Sequence, residues 1–226
     1  MKGYYLTRME MGNILQCIRN QENPQEILIK AWERTGSKRE FNDDNNLPPI
    51  FQKLLKAEEK AMGLSINEIV SLGNQIEYAS FRSTAVQNWV KRDIKDWIGS
   101  PQHGKKYSVE QAAILFIVED LKNTHDFESI RLLLKFAFNN PADRNDDLIN
   151  PLVFYHAYAC LFEEVHSNNN LSAKVVKTKA KELCSKSRLT SFQSEAMESL
   201  LISSSLSVEA AYFQTMSKHH LERALR

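Results

Sequence analysis

Gln87 and Asn88 stand side by side in a stretch that also carries Arg82, Thr84, Lys91, Arg92 and Lys95. Carboxamides match the paired donor and acceptor on an adenine edge, while arginine and lysine match guanine or phosphate oxygens. A few residues on, His103, Lys105 and Lys106 cluster in a short polar loop, where lysine serves phosphate as a point charge. From Arg82 to Lys106 six basic residues face only Asp93 and Asp96, a net charge of +4, whereas the whole chain carries +1. Any attraction to nucleic acid is therefore local to this window rather than global. The competing reading is an ordinary amphipathic surface helix, whose polar face always includes some lysine, arginine and glutamine.

These side chains need a helix and a loop to hold them. Val86, Trp89, Val90, Ile94, Trp97 and Ile98 fall on one apolar stripe, so the spacing predicts a helix capped by Ser83 or Thr84 that turns Gln87, Asn88, Lys91, Arg92 and Lys95 outward. Trp89 and Tyr107 read as core rather than as base-stacking groups. Before this helix, Ser65 and Glu68 form an S-x-x-E capping box ahead of Ile66, Ile69, Val70 and Leu72, with Gly73 closing a two-turn helix. After it, Gly99 to Ser108 is broken by Pro101 and Gly104 and predicts a small basic hairpin or loop. A second box, Ser108 with Gln111, starts a strongly apolar helix, and Asp126 caps the next.

In this order the segments S-I-x-E-I (Ser65 to Ile69), A-V-Q-N-W-V-K-R (Ala85 to Arg92), G-K-K-Y-S-x-E-Q (Gly104 to Gln111) and D-F-E-S-I-R-L-L (Asp126 to Leu133) resemble a MerR-type domain. More closely, the chain is similar over most of its length to the YkrK-like Firmicute family of transcription regulators. The resemblance implies a mainly α protein, with a MerR-like winged helix-turn-helix followed by an all-helical C-terminal region. It also implies a repressor that binds double-stranded DNA as a homodimer on a two-fold-symmetric site. Carried over by position, Arg82, Gln87, Asn88, Lys91 and Arg92 serve the recognition helix and Lys105 and Lys106 the wing. Two features depart from the MerR pattern: Asn74 to Phe81 exceeds a tight turn, and no arginine precedes the wing tyrosine.

Around this module, polar turn-rich stretches at Gly36 to Asn46 and Asn139 to Pro151 suggest boundaries. They leave an N-terminal extension and linker (1–46), a DNA-binding domain (47–140) and a C-terminal helical region (150–226) for dimerisation or signal reception. In the extension, helices are expected on either side of Asn23-Pro24, and a further helix from Pro48 to Met62. The C-terminal third reads as four helices, about Leu152 to Val165, Ser172 to Lys186, Thr190 to Ile202 and Ser207 to Arg226. The serines of SLLISSSLS (Ser199 to Ser207) are taken as a break and cap between the last two. Leu200, Leu201, Leu206, Ala210 and Phe213 offer either a dimer face or an internal core.

Other classes find less support. Three widely spaced cysteines (Cys17, Cys160, Cys184) and the lack of a signal-peptide pattern or long apolar run favour a reducing cytoplasm with no membrane association. Glu163-x-x-His166 has di-iron spacing, but the bundle site needs that motif twice, and His156, His219 and His220 belong to no ligand pattern. No nucleophile elbow or phosphate loop occurs. The expectation is a non-enzyme without cofactor or metal. A helical adaptor that keeps a winged-helix shape without touching DNA is the alternative.

Overall fold

A computed structural model describes residues 4–35, 47–56, 63–140, 143, 146–167, 173–184 and 189–225. The chain divides into two compact units, Met1–Leu115 and Phe116–Arg226. The protein is mainly helical; among the described residues β-structure is limited to three isolated bridges. The Gly36 to Asn46 stretch and the end of the expected Pro48 to Met62 helix lie outside the described residues.

In the first unit, α1 (Arg8–Asn20) and α2 (Gln25–Arg34) flank Pro24 as the sequence predicts. Next come α3 (Pro49–Lys56), α4 (Ile66–Gly73), α5 (Ser83–Asn88), a wide π turn (Trp89–Asp93) and α6 (Lys95–Ile98); α7 (Val109–Leu121) runs across the division. The capping box opening α4 is complete: the Glu68 N–H donates to Ser65 Oγ at 3.3 Å and the Ser65 N–H to Glu68 Oε2 at 2.8 Å. Lys53 of α3 also pairs with the Glu68 carboxylate.

The N-terminal segment has a structural job that composition did not reveal. Leu6 forms a parallel bridge with Ile76: its N–H donates to the Gln75 carbonyl at 2.8 Å, and its carbonyl accepts from the Glu77 N–H at 2.9 Å. Arg8, 1% exposed, donates to the Glu77 carbonyl at 2.9 Å. The stretch between α4 and α5 is thus an ordered connection stapled from outside. Inside it, the Asn74 carboxamide accepts from the Phe81 N–H at 3.0 Å and donates to the Phe81 carbonyl at 3.1 Å. With that pair of hydrogen bonds in place the Phe81 ring lies on Gly73, where a Cβ would sit 2.5 Å from ring carbons.

The second unit comprises the end of α7, α8 (Phe127–Phe138), α9 (Pro151–Ser167), α10 (Ala173–Cys184) and α11 (Ser191–Ala224). Asp126 caps α8 as expected, accepting from the Ser129 N–H at 2.7 Å; that bond lowers its carboxyl pKa. The core is aromatic: Phe116, Phe138, Phe154, Tyr155 and Tyr158 are buried together, and the Tyr158 hydroxyl donates to buried Asp120 at 2.8 Å. Glu209, also buried, faces His166 Nδ1 at 3.1 Å.

One expectation is overturned here: the serine run does not break the last helix, and α11 continues for 34 residues. Ser199, Ser204 and Ser207 return their hydroxyl protons to carbonyls four residues back, at 2.9 to 3.0 Å, so they leave the helix backbone intact. Ser207 also meets Thr124 at 2.6 Å and Ser203 meets His125 at 3.0 Å, so tertiary partners on the α7–α8 corner use the remaining hydroxyl capacity. Burial and partnering override the turn-forming tendency that the residues show in isolation.

Two outcomes test this account. Trp32, Trp89 and Trp97, the chain's 3 tryptophans, all fall in the first unit, so their fluorescence follows its unfolding. Asn74→Ala should lower the stability of that unit by about 2 kcal/mol in urea, because two backbone groups of Phe81 lose their partner. For Glu68, burial raises the carboxyl pKa, but hydrogen bonds from Lys53 and Ser65 outweigh it and hold the group at about 2, below its ordinary 4.5. The stabilisation from this depressed group is complete above pH 4.5 and is lost as pH falls towards 2. Glu68→Gln should therefore flatten the acid-unfolding curve in that window.

Candidate nucleic-acid interface

The stripe expected between Val86 and Ile98 is present but is not one regular helix. Val86, Trp89, Val90, Ile94 and Ile98 are all buried, and Trp97 is half-buried. Along an unbroken α-helix the twelve steps from Val86 to Ile98 overshoot three turns by about 120°. The π turn absorbs that excess: the Ile94 N–H donates to the Trp89 carbonyl five residues back at 2.9 Å, and Ile94 leaves helical geometry at φ −130°, ψ 20°. The expected cap is also corrected. Ser83 and Thr84 lie inside the first turn, and Arg82 occupies the N-cap position without a side-chain bond.

The outward face stays open. Arg82, Thr84, Gln87, Asn88, Lys91, Arg92 and Lys95 are all exposed. Arg92 meets Asp93 at 3.7 Å, a surface pair whose net strength is under about 1 kcal/mol, which leaves the guanidinium available to another anion. Trp89, 4% exposed, and Tyr107, 8% exposed, are core as the sequence predicts, and burial pushes the Tyr107 phenol up in pKa.

The basic loop is a two-residue hairpin. His103 and Lys106 exchange both backbone hydrogen bonds at 3.0 Å around Gly104 and Lys105. Gly104, at φ +65°, takes the first central position, where a hairpin of this hand demands glycine. His103 and Lys105 are exposed, while Lys106 is half-buried. The returning arm is anchored by the Leu64–Tyr107 bridge, with both N–H···O distances 2.8 Å. A wing of MerR type would be built on strands, whereas among the described residues this loop carries isolated bridges only.

Two residues hold the hairpin through contacts that the sequence does not signal. Gly63 lies so close under the hairpin that a Cβ would sit 2.9 Å from the Tyr107 carbonyl oxygen and 3.0 Å from Lys106 Cβ. Gln111 was recognised only as a cap: its side-chain oxygen does accept from the Ser108 N–H at 2.9 Å, and its own N–H donates to Ser108 Oγ at 3.2 Å. Its amide also donates to the Ile98 carbonyl at 2.7 Å and the Ser100 carbonyl at 2.8 Å. One buried side chain thereby ties the end of α6 and the start of the hairpin loop to α7. Neither contact has a local signature, because both join residues far apart in sequence.

Elsewhere, no group of three or more His, Cys, Asp or Glu residues among those described could hold a metal, and no described helix is long and apolar enough to cross a membrane. Cys17 and Cys160 are half-buried.

Residues 48–158, from α3 into α9, match the family described as a domain of unknown function, DUF1836. A Bacillus subtilis (strain 168) protein, described as "Uncharacterized protein YkrK", is 44% identical over 177 residues, covering 77% of this chain and 75% of that protein. The chain belongs to this YkrK-like family. No solved structure matches.

Gly63→Ala is expected to cost about 1–3 kcal/mol through overpacking against the hairpin. Hydrogen exchange at the Leu64, His103, Lys106 and Tyr107 amides should accelerate, while the Asn74–Phe81 clamp keeps its protection.

Proposed function

We propose that this protein is a sequence-specific regulator that binds double-stranded DNA through a reduced winged helix-turn-helix and acts as a repressor. In this reading α4 is the first helix, α5 with its π turn the recognition helix, and the His103–Lys106 hairpin the wing. One observation carries it: over a buried Trp89 stripe, seven cationic, amide or hydroxyl side chains from Arg82 to Lys95 all face solvent, with a basic hairpin next in sequence. The helix start, bearing Thr84, Gln87 and Asn88, presents groups suited to base edges, because recognition helices read bases chiefly with their first turns. Past the bend, Lys91, Arg92 and Lys95 suit phosphates, as do Lys105 and His103 on the hairpin. No catalytic step, cofactor or metal enters this account.

The test is a gel shift with genomic fragments enriched by the protein. Lys91→Ala with Arg92→Ala should abolish retention at physiological salt and, at the low salt where binding persists, lower the slope of log affinity against log salt by about 2, since two phosphate contacts release two fewer counterions. Circular dichroism should stay intact, because both side chains are exposed and the π turn is held by backbone bonds. Unchanged retention removes the recognition-helix assignment, and the absence of any salt-dependent affinity for duplex DNA favours the adaptor.

A further inference from the structure

The solvent side of α11 is poor in charge over most of its length. From Ala196 to Ser217 the helix carries only two charged residues, Glu198 and Glu209, and both are buried. One row of the helix follows a heptad: Phe192, Ser199, Leu206, Phe213 and His220 alternate with Ala196, Ser203, Ala210, Ser217 and Ala224, of which Ala196, Ser203 and Ala210 are half-buried and Ser203 also bonds His125. None of these ten is buried, and Phe192, Leu206 and Phe213 are 76%, 48% and 55% exposed. Beyond them, every residue from Ser217 to Leu225 is exposed, including Leu221 and Leu225. Helical turns without tertiary packing are marginal on their own, since helix stability comes mainly from a buried face. Beside the N-terminal half of α11 lies an apolar groove of about 500 Å³, walled by Ile130, Leu132 and Phe136 of α8 and by Phe192 and Leu200 of α11.

We propose that the occupant of this face is a second copy of the same chain, its α11 lying antiparallel about a twofold axis at Val208. In that register each large residue meets a small one. Phe192 faces the partner's Ala224, Leu206 the partner's Ala210, Phe213 the partner's Ser203, and His220 the partner's Ala196. Exposed Glu195 comes level with the partner's Leu221, two positions and about 3 Å along the axis from the partner's Arg223, a distance that a long side chain spans and that a parallel pairing does not offer. The otherwise unpacked last turns of each helix fill the α8–α11 groove of the other copy. A helix of 34 residues is roughly 50 Å long and about 11 Å wide, or roughly 550 Å² before the α8 wall is counted, against about 800 Å² per partner in a stable interface. This pairing stands independently of the DNA reading.

Light scattering of the full chain at micromolar concentration should give twice 26.0 kDa. Leu206→Glu with Phe213→Glu should weaken association by about 100-fold or more. Both positions are exposed, so the circular dichroism of the resulting monomer should match that of the parent. To fix the register, the native cysteines are replaced by serine. Leu206→Cys with Ala210→Cys should then oxidise to a covalent dimer, whereas Phe213→Cys alone should not. A mass of 26.0 kDa for the parent protein, a dimer indifferent to the two glutamates, or efficient cross-linking through Phe213→Cys would each overturn the proposal.

Discussion

The exposed face of the first unit depends on one packing constraint: Val86, Val90, Ile94 and Ile98, spaced by four, must all reach the core. A regular α-helix has 3.6 residues per turn and carries such a row gradually around its axis, out of the core and onto the surface. The π turn at Trp89–Asp93 restores the alignment with one wide loop of backbone, and its hydrogen bond from Ile94 to Trp89 keeps that loop satisfied. A π bulge inside a helix is uncommon and frequently marks a functional segment. Here it divides the outward residues into a group before the bend, with Thr84, Gln87 and Asn88, and a group on and after it, with Lys91, Arg92 and Lys95.

With almost no sheet available, loop backbone in the first unit is satisfied by individual side chains. Asn74 completes the Phe81 backbone, Gln111 takes the Ile98 and Ser100 carbonyls, and Arg8 takes the Glu77 carbonyl. Each sits where a strand ladder would otherwise do the work, and a buried carbonyl without any partner would cost about 1–3 kcal/mol. Asn74 and Arg8 hold the connection between α4 and α5, and Gln111 holds the path from α6 to the hairpin. The backbone around the exposed cationic face is therefore held by groups that lie behind it, Arg8 and Gln111 buried and Asn74 half-buried.

What could be read in the sequence follows from range. Ser65 with Glu68, Ser108 with Gln111, and Asp126 were legible because a cap closes over three residues and needs no distant partner. The inward stripe was legible too, and with it the exposure of the residues between. The π turn was not, because a helical wheel registers spacings of three and four alike until their phase is summed. The Ser199 to Ser207 run was misjudged for a related reason: serine favours caps when judged alone, but inside α11 it bonds back to the preceding turn and meets Thr124 and His125. The role of Leu6 and Arg8 could not be seen at all, since their partners lie some seventy positions away.

The two exposed helical faces are chemically opposite, and that contrast separates their partners. Around α5 the surface carries fixed positive charge and amide groups, which keep their hydration and gain most where the partner is itself polar and anionic. Along α11 the surface over Ala196 to Ser217 carries no exposed charge, and leaving Leu206 and Phe213 in water forgoes roughly 25 cal/mol for each Å² of apolar area. A polyanion has nothing to gain from that second face, and an apolar helix has nothing to gain from the first. Each unit thus presents one surface of its own kind, and changes confined to either should leave the other's binding chemistry in place.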